Sequence, residues 1–149
     1  MLMALKKYSF VIALSSVLLI PMSVGNAASP TPTESLTPDS PTYFRTSALG
    51  DLSDLKKDIS DAKIAVSKGG KWKLLGNAAE IAFNVGQLES LSPPTKYAST
   101  WSKYVQQLDE LSSQFLDSIT SGTVSNTNSV LSKMTSQIKK MESYVKKVK

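Results

Sequence analysis

Residues 97–115 read YASTWSKYVQQLDELSSQF, and this stretch decides the fold. Tyr97, Trp101, Tyr104, Leu108, Leu111 and Phe115 recur at steps of four and three, the spacing of one face of an α-helix. Most residues between them are polar or charged. The segment therefore predicts an amphipathic helix with an aromatic-rich inner stripe, closed by Gly122, which can take the left-handed turn past a helix end.

Working outward, the same spacing returns on both sides. Upstream, from about Lys71, Leu74, Ala78, Ile81, Val85 and Leu88 form a stripe that Leu75, Ala82 and Phe83 widen. Gly86 lowers the helix propensity of this segment and marks a close helix crossing as the expectation. Pro93-Pro94 ends the segment and suits the first turn of the next helix. Earlier still, from Ala48, the repeat runs Leu52, Leu55, Ile59, Ala62 and Val66, until Gly69-Gly70 stops it.

Downstream, Thr127, Leu131, Met134, Ile138, Met141, Val145 and Val148 repeat in the same way, with Ser125 or Asn126 as the candidate N-cap. No alternating run of β-branched residues predicts a strand. Each apolar stripe needs a partner, and short connections favour antiparallel neighbours. The expected fold is all-α, an up-down-up-down four-helix bundle over residues 46–149.

Two segments of different character precede it. Residues 29–44, SPTPTESLTPDSPTYF, hold four prolines among many Ser and Thr, with little apolar surface to offset ordering entropy. They predict a disordered linker or tail over 29–45, either a spacer or O-glycosylated stalk or simply a flexible terminus. Residues 1–28 have the layout of a secretory signal peptide: Lys6 and Lys7, an apolar run from Phe10 to Ile20, Pro21, and small residues in Gly25-Asn26-Ala27. The apolar run is eleven residues, too short for a hydrocarbon core that needs about twenty. Cleavage after Ala27 or Ala28 and an extracytoplasmic location, secreted or periplasmic, are the expectation.

The chain has no cysteine, so lipidation at the cleavage site and disulfides are both excluded. Without Lys6 and Lys7, 15 basic side chains face 12 acidic ones. That mild excess, with export, argues against nucleic acid as a partner.

Chemistry is narrowed further by the lack of histidine. Haem and metal sites in bundles usually rely on imidazole, and thiolate ligation is also impossible here. Asp51, Asp54, Asp58 and Asp61, and Asp109, Glu110 and Asp117, lie off the apolar stripes, as a solvated face rather than a carboxylate metal cluster; Lys57 and Asp61 form an i,i+4 pair. No serine has a histidine base, no Gly-x-Ser-x-Gly elbow exists, and no lysine sits on an apolar stripe where burial would activate it. The reading is a non-enzyme without cofactors.

The layout from Gly50 to Lys149 resembles the periplasmic haem-b cytochrome of the four-helix type and its haemless relatives. The resemblance rests on Asp51-Leu52-x-Asp54, on Pro93-Pro94, on Gly122, and on Tyr144 followed by Lys146 and Lys147. It implies the bundle fold. In that family a methionine of the first helix and a histidine of the last ligate iron; the matching positions here are Lys56, or Leu55 with a slipped register, and Val145. The resemblance thus implies no haem.

Two candidate surfaces follow from the heptads. With Leu131, Ile138 and Val145 at a and Met134, Met141 and Val148 at d, Lys139 and Lys146 fall at b and Lys133, Lys140 and Lys147 at c. This outward stripe suits anionic material: membrane head groups, envelope polymer phosphates or an acidic envelope partner. It equally suits solubility and the cation preference of a helix C-terminus. Trp101, Tyr104 and Leu108 are the candidate lining of a cavity for a small apolar ligand, with core packing as the simpler account. Trp72 and Phe83 are read the same way. The expected function is an exported interaction or accessory protein; the alternative is a small-ligand carrier.

Overall fold

Four helices account for most of the chain described by a computed structural model, residues 40–122 and 124–149: α1 (Pro41–Ser67), α2 (Lys71–Ser90), α3 (Thr95–Thr120) and α4 (Val124–Val145). Among the described residues there is no strand. Residues 1–28, read as a signal peptide, and residues 29–39 of the expected linker lie outside the described residues.

The helices form a closed ring. α1 packs on α2, α2 on α3, α3 on α4 and α4 on α1, whereas the diagonal pairs α1–α3 and α2–α4 make no backbone approach within 8 Å. Cross-links run in opposite directions along neighbours. Lys56 meets Glu142 and Lys63 meets Thr135 between α1 and α4, while Tyr97 meets Tyr144 and Gln137 meets Gln107 between α3 and α4. Rising numbers on one helix pair with falling numbers on the next, as in an up-down-up-down bundle.

Most of the inner stripes behave as their spacing predicts. Leu52, Leu55, Ile59, Ala62 and Val66 of α1 are buried, as are Ala78, Ile81, Val85 and Leu88 of α2. Trp101, Leu108 and Phe115 of α3, and the α4 row from Thr127 to Val148, are buried too. Leu74, Tyr97, Tyr104 and Leu111 sit half-buried at the seams.

Turn chemistry closes the helices. After α1, Gly69 adopts φ 70°, and the amides of Gly70 and Gly69 return to the carbonyls of Ala65 and Val66 at 3.3 and 3.2 Å. That reverse pattern is the Schellman closure, which needs a residue without Cβ strain. Gly122, φ 75°, ends α3 likewise, its amide bonded to the Ile119 carbonyl.

Several expectations need correction. The bundle begins at Pro41, inside the stretch 29–45 assigned to the linker. Ser40 accepts from the Tyr43 amide at 3.1 Å, Pro41 takes the first helical position where no donor is required, and Phe44 is 1 % exposed against the core. Pro94 is the N-cap of α3 and lies outside its first turn. α4 opens at Val124, so Ser125 and Asn126 are already helical.

On α2, Ala82 and Phe83 are exposed and face away from the core that Ala78, Ile81, Val85 and Leu88 enter, whereas Leu75 packs half-buried against it as expected. A Cβ added at Gly86 would meet nothing within 4 Å, so no helix crosses closely there. Lys57 and Asp61 are not bridged; Lys56 with Glu142, at 3.4 Å across α1 and α4, is the salt bridge found among the described residues.

Candidate functional site

The last helix presents its cations on a braced scaffold. α4 is pinned inward by Leu131, Met134, Ile138, Met141 and Val145, all at or near zero exposure. Beyond it, the amides of Lys146, Lys147 and Val148 bond back to the carbonyls of Glu142, Tyr144 and Val145 at 3.0–3.1 Å, and Val148 is itself buried. The chain end is thus continuous with the core.

Three tyrosines hold this end against α3. Tyr144 donates its hydroxyl to the Tyr97 carbonyl at 3.0 Å, and Tyr97 donates to the Lys147 carbonyl at 3.2 Å. The Tyr144 ring meets Tyr97 and Tyr104 edge-on at 5.9 and 5.4 Å between centroids, the geometry favoured by aromatic quadrupoles. Midway along α4, the buried Gln137 donates to the Tyr104 carbonyl at 3.2 Å and to Gln107 Oε1 at 3.0 Å.

With the inward face so fixed, Lys133, Lys139, Lys140, Lys146 and Lys147 are all exposed, and so is Lys149. None of them forms an ion pair among the described residues. Lys139, Lys140 and Lys147 surround a shallow hollow of about 400 Å³ floored by Tyr104, Ser143 and Tyr144. Lys133 and Lys140 border a groove of about 620 Å³ between α3 and α4, opposite Gln107, Glu110 and Gln114. The structure brings the five sequence-predicted lysines to one side of the bundle. Glu142, the acid nearest in sequence, is turned toward α1 by its bridge to Lys56.

The three residues expected to line a cavity part company. Trp101 is buried, its Nε1 donating to the Leu88 carbonyl at 3.3 Å and its ring edge-on to Phe44 at 5.0 Å. That contact spans the α1–α3 diagonal. Tyr104 turns toward α4, and Leu108 is enclosed in the core. A cleft of about 450 Å³ does touch Trp101, but it is edged by Leu91, Pro93, Ala98, Glu89 and Asp109, without Tyr104 or Leu108. The expectation for Trp72 and Phe83 is overturned outright: they are 86 % and 67 % exposed.

Lys56 and Val145, the positions matched to haem ligands in the resemblance, point to different surroundings. Lys56 reaches the surface toward Glu142, and Val145 is enclosed among apolar side chains. Among the described residues, no group of three or more His, Cys, Asp or Glu could hold a metal ion. No described helix is long and apolar enough to cross a membrane.

Among the described residues, one ionisable group departs from its ordinary value. Burial raises the Asp51 carboxyl above the usual aspartate range, and the neighbouring Asp54 charge adds to the rise. Asp51 lies on α1, a helix that neighbours α4 in the ring, and forms no ion pair among the described residues.

No family model, no curated protein and no solved structure matches this chain.

Proposed function

We propose that this is an exported, non-catalytic bundle whose α4 face docks on anionic material of the cell envelope. The observation that carries the reading is the row of five exposed lysines, Lys133, Lys139, Lys140, Lys146 and Lys147, without acidic partners among the described residues. Cations set on a rigid helix attract phosphate or carboxylate groups through summed field more than through any one contact. The signal-peptide layout of residues 1–28 supports the location, and the Pro/Ser/Thr composition of residues 29–39 supports a linker.

The test is co-sedimentation of the protein with anionic vesicles and with cell-wall polymer across a salt series. Binding should weaken steeply as the screening length falls from roughly 10 Å at 0.1 M to 3 Å at 1 M salt. Replacing Lys133, Lys140 and Lys147 with Gln should abolish most of it. Binding left unchanged by those substitutions would overturn the proposal. Mass spectrometry of the exported protein, read for a new terminus after Ala27 or Ala28, tests the address separately.

A second reading, a carrier of a small apolar ligand, is favoured by the cleft beside Trp101. It predicts a ligand-dependent rise in melting temperature, since binding to the folded state alone stabilises it. A flat melt across an apolar ligand panel would remove it.

A further inference from the structure

We propose that the outer face of α2 is a self-pairing surface, which joins two copies of this chain antiparallel through Trp72, Gly76, Ala79 and Phe83.

α2 carries two apolar stripes. The inner one, Leu74, Ala78, Ile81, Val85 and Leu88, is consumed by the bundle. The outer one runs Trp72, Gly76, Ala79, Phe83 and Gly86 at steps of four and three, the seam spacing of helices that pack on one another. All five outer residues are exposed, and a Cβ added at Gly76 or Gly86 would meet nothing within 4 Å. The largest exposed hydrophobic side chain of the described residues, Trp72, stands on this row with no ring partner. A contiguous apolar row on an outer helix face is the mark of an interaction site, unlike scattered single residues.

Charge identifies the occupant. On the flank of the row, Lys73 and Glu80 stand one heptad apart. In an antiparallel pair that sets Trp72 against the partner's Phe83, Gly76 falls against the partner's Ala79. In the same register Lys73 falls against the partner's Glu80, and on the other flank Ala82 falls beside the partner's Leu75, itself half-buried against its own core. Each contact occurs twice by two-fold symmetry. Ring meets ring, small meets small, and opposite charges meet on the rim.

Neighbouring registers lose this match. A shift of one heptad in one direction sets Glu80 against its own copy, and the opposite shift sets Lys73 against its own copy. Flanking charges of this kind set register and partner choice in paired helices. The small residues at the centre let the two backbones approach. An anionic membrane is the poorer fit, because Lys71 and Lys73 on this helix are balanced by Glu80 and Glu89.

A single helix pair lies at the low end of interface sizes, so association is expected in roughly the micromolar range. Sedimentation velocity of the purified protein over a concentration series should show a monomer–dimer equilibrium. Ala79→Glu, at an exposed position, should leave the circular dichroism and the melting of the dilute monomer unchanged while abolishing the dimer. Lys73→Glu alone and Glu80→Lys alone should each weaken pairing at least tenfold. An equimolar mixture of those two variants should pair again, because each then supplies the charge that the other lacks.

A monomer at every concentration would overturn the proposal, as would a dimer indifferent to Ala79→Glu. Equal pairing by the charge variants alone and mixed would overturn the antiparallel register. Binding of phosphatidylcholine–phosphatidylglycerol vesicles that is lost in Ala79→Glu, without any dimer, would assign the face to lipid instead. The lysines of α4 are untouched in all these variants, so failure here leaves the α4 reading standing.

Discussion

The Tyr144 hydroxyl donates to the Tyr97 carbonyl at 3.0 Å, and Tyr97 donates in turn to the Lys147 carbonyl, two positions past a helix that ends at Val145. The two tyrosines make a reciprocal latch between the start of α3 and the end of α4. The Tyr144→Phe variant keeps the ring contacts but leaves that carbonyl without its side-chain donor. It should lose about 1 kcal/mol of stability in denaturant titration, with the slope of the transition unchanged.

The two phenylalanines Phe44 and Phe83 should behave oppositely. Phe44 is buried against Trp101, so Phe44→Ala should cost about 3–5 kcal/mol. Phe83 is exposed, so Phe83→Ala should stay within about 0.5 kcal/mol in dilute solution. Comparable losses at both sites would mean that α2 is turned differently from its described orientation.

Asp51 makes stability depend on acidity in a defined direction. Its folded-state pKa is raised above the ordinary 3.8, so the folded protein holds this proton more tightly than the unfolded chain. The contribution of this group to stability therefore falls as pH rises through the window above 3.8 and stays lower at neutral pH. Asp51→Asn should stabilise the protein at neutral pH, and the gain should shrink as pH drops below the ordinary aspartate value. Thermal melts of both proteins from neutral to acidic pH check it.

Two glycines should respond with opposite signs. Gly69 sits at φ 70° in the closure of α1, so Gly69→Ala should destabilise by about 1–2 kcal/mol. Gly86 lies inside α2 with open space where a Cβ would go, so Gly86→Ala should stabilise by roughly 0.5–1 kcal/mol.

Asn77 carries a buried Oδ1 without a hydrogen-bond partner on the flank of α2. Asn77→Leu, similar in size, removes that unpaired acceptor and should raise stability by about 1 kcal/mol. Chemical denaturation is the measurement.

The fold was legible in the sequence where a helix has one apolar stripe. In α1 and α4 every residue of the repeat is buried, and the off-repeat residues Ala65, Val130 and Gln137 that join them flank the same stripe. α2 was misread for the opposite reason. Its two stripes share the same period, and only packing against α1 and α3 decides that Ile81 goes in and Phe83 stays out. The start of α1 was hidden by composition: Ser40-Pro41 looks like linker until Phe44 has Trp101 to pack on.

The lysine face was legible because exposed heptad positions follow from the buried ones. The grouping of Trp101, Tyr104 and Leu108 was not. Residues three and four apart on a helix share a face, yet at a bundle seam each can turn to a different neighbour. Trp101 meets α1 and α2, while Tyr104 meets α4.

Because α2 and α4 lie on a diagonal of the ring, their outward faces look in opposite directions. A pair of bundles joined back to back through α2 would carry its two cationic sides on opposite exteriors. Such a particle could not grip one flat surface twice, so pairing would bring little avidity there. It would act as a rivet between two anionic sheets, and its signature would be clustering of vesicles at concentrations where the pair forms.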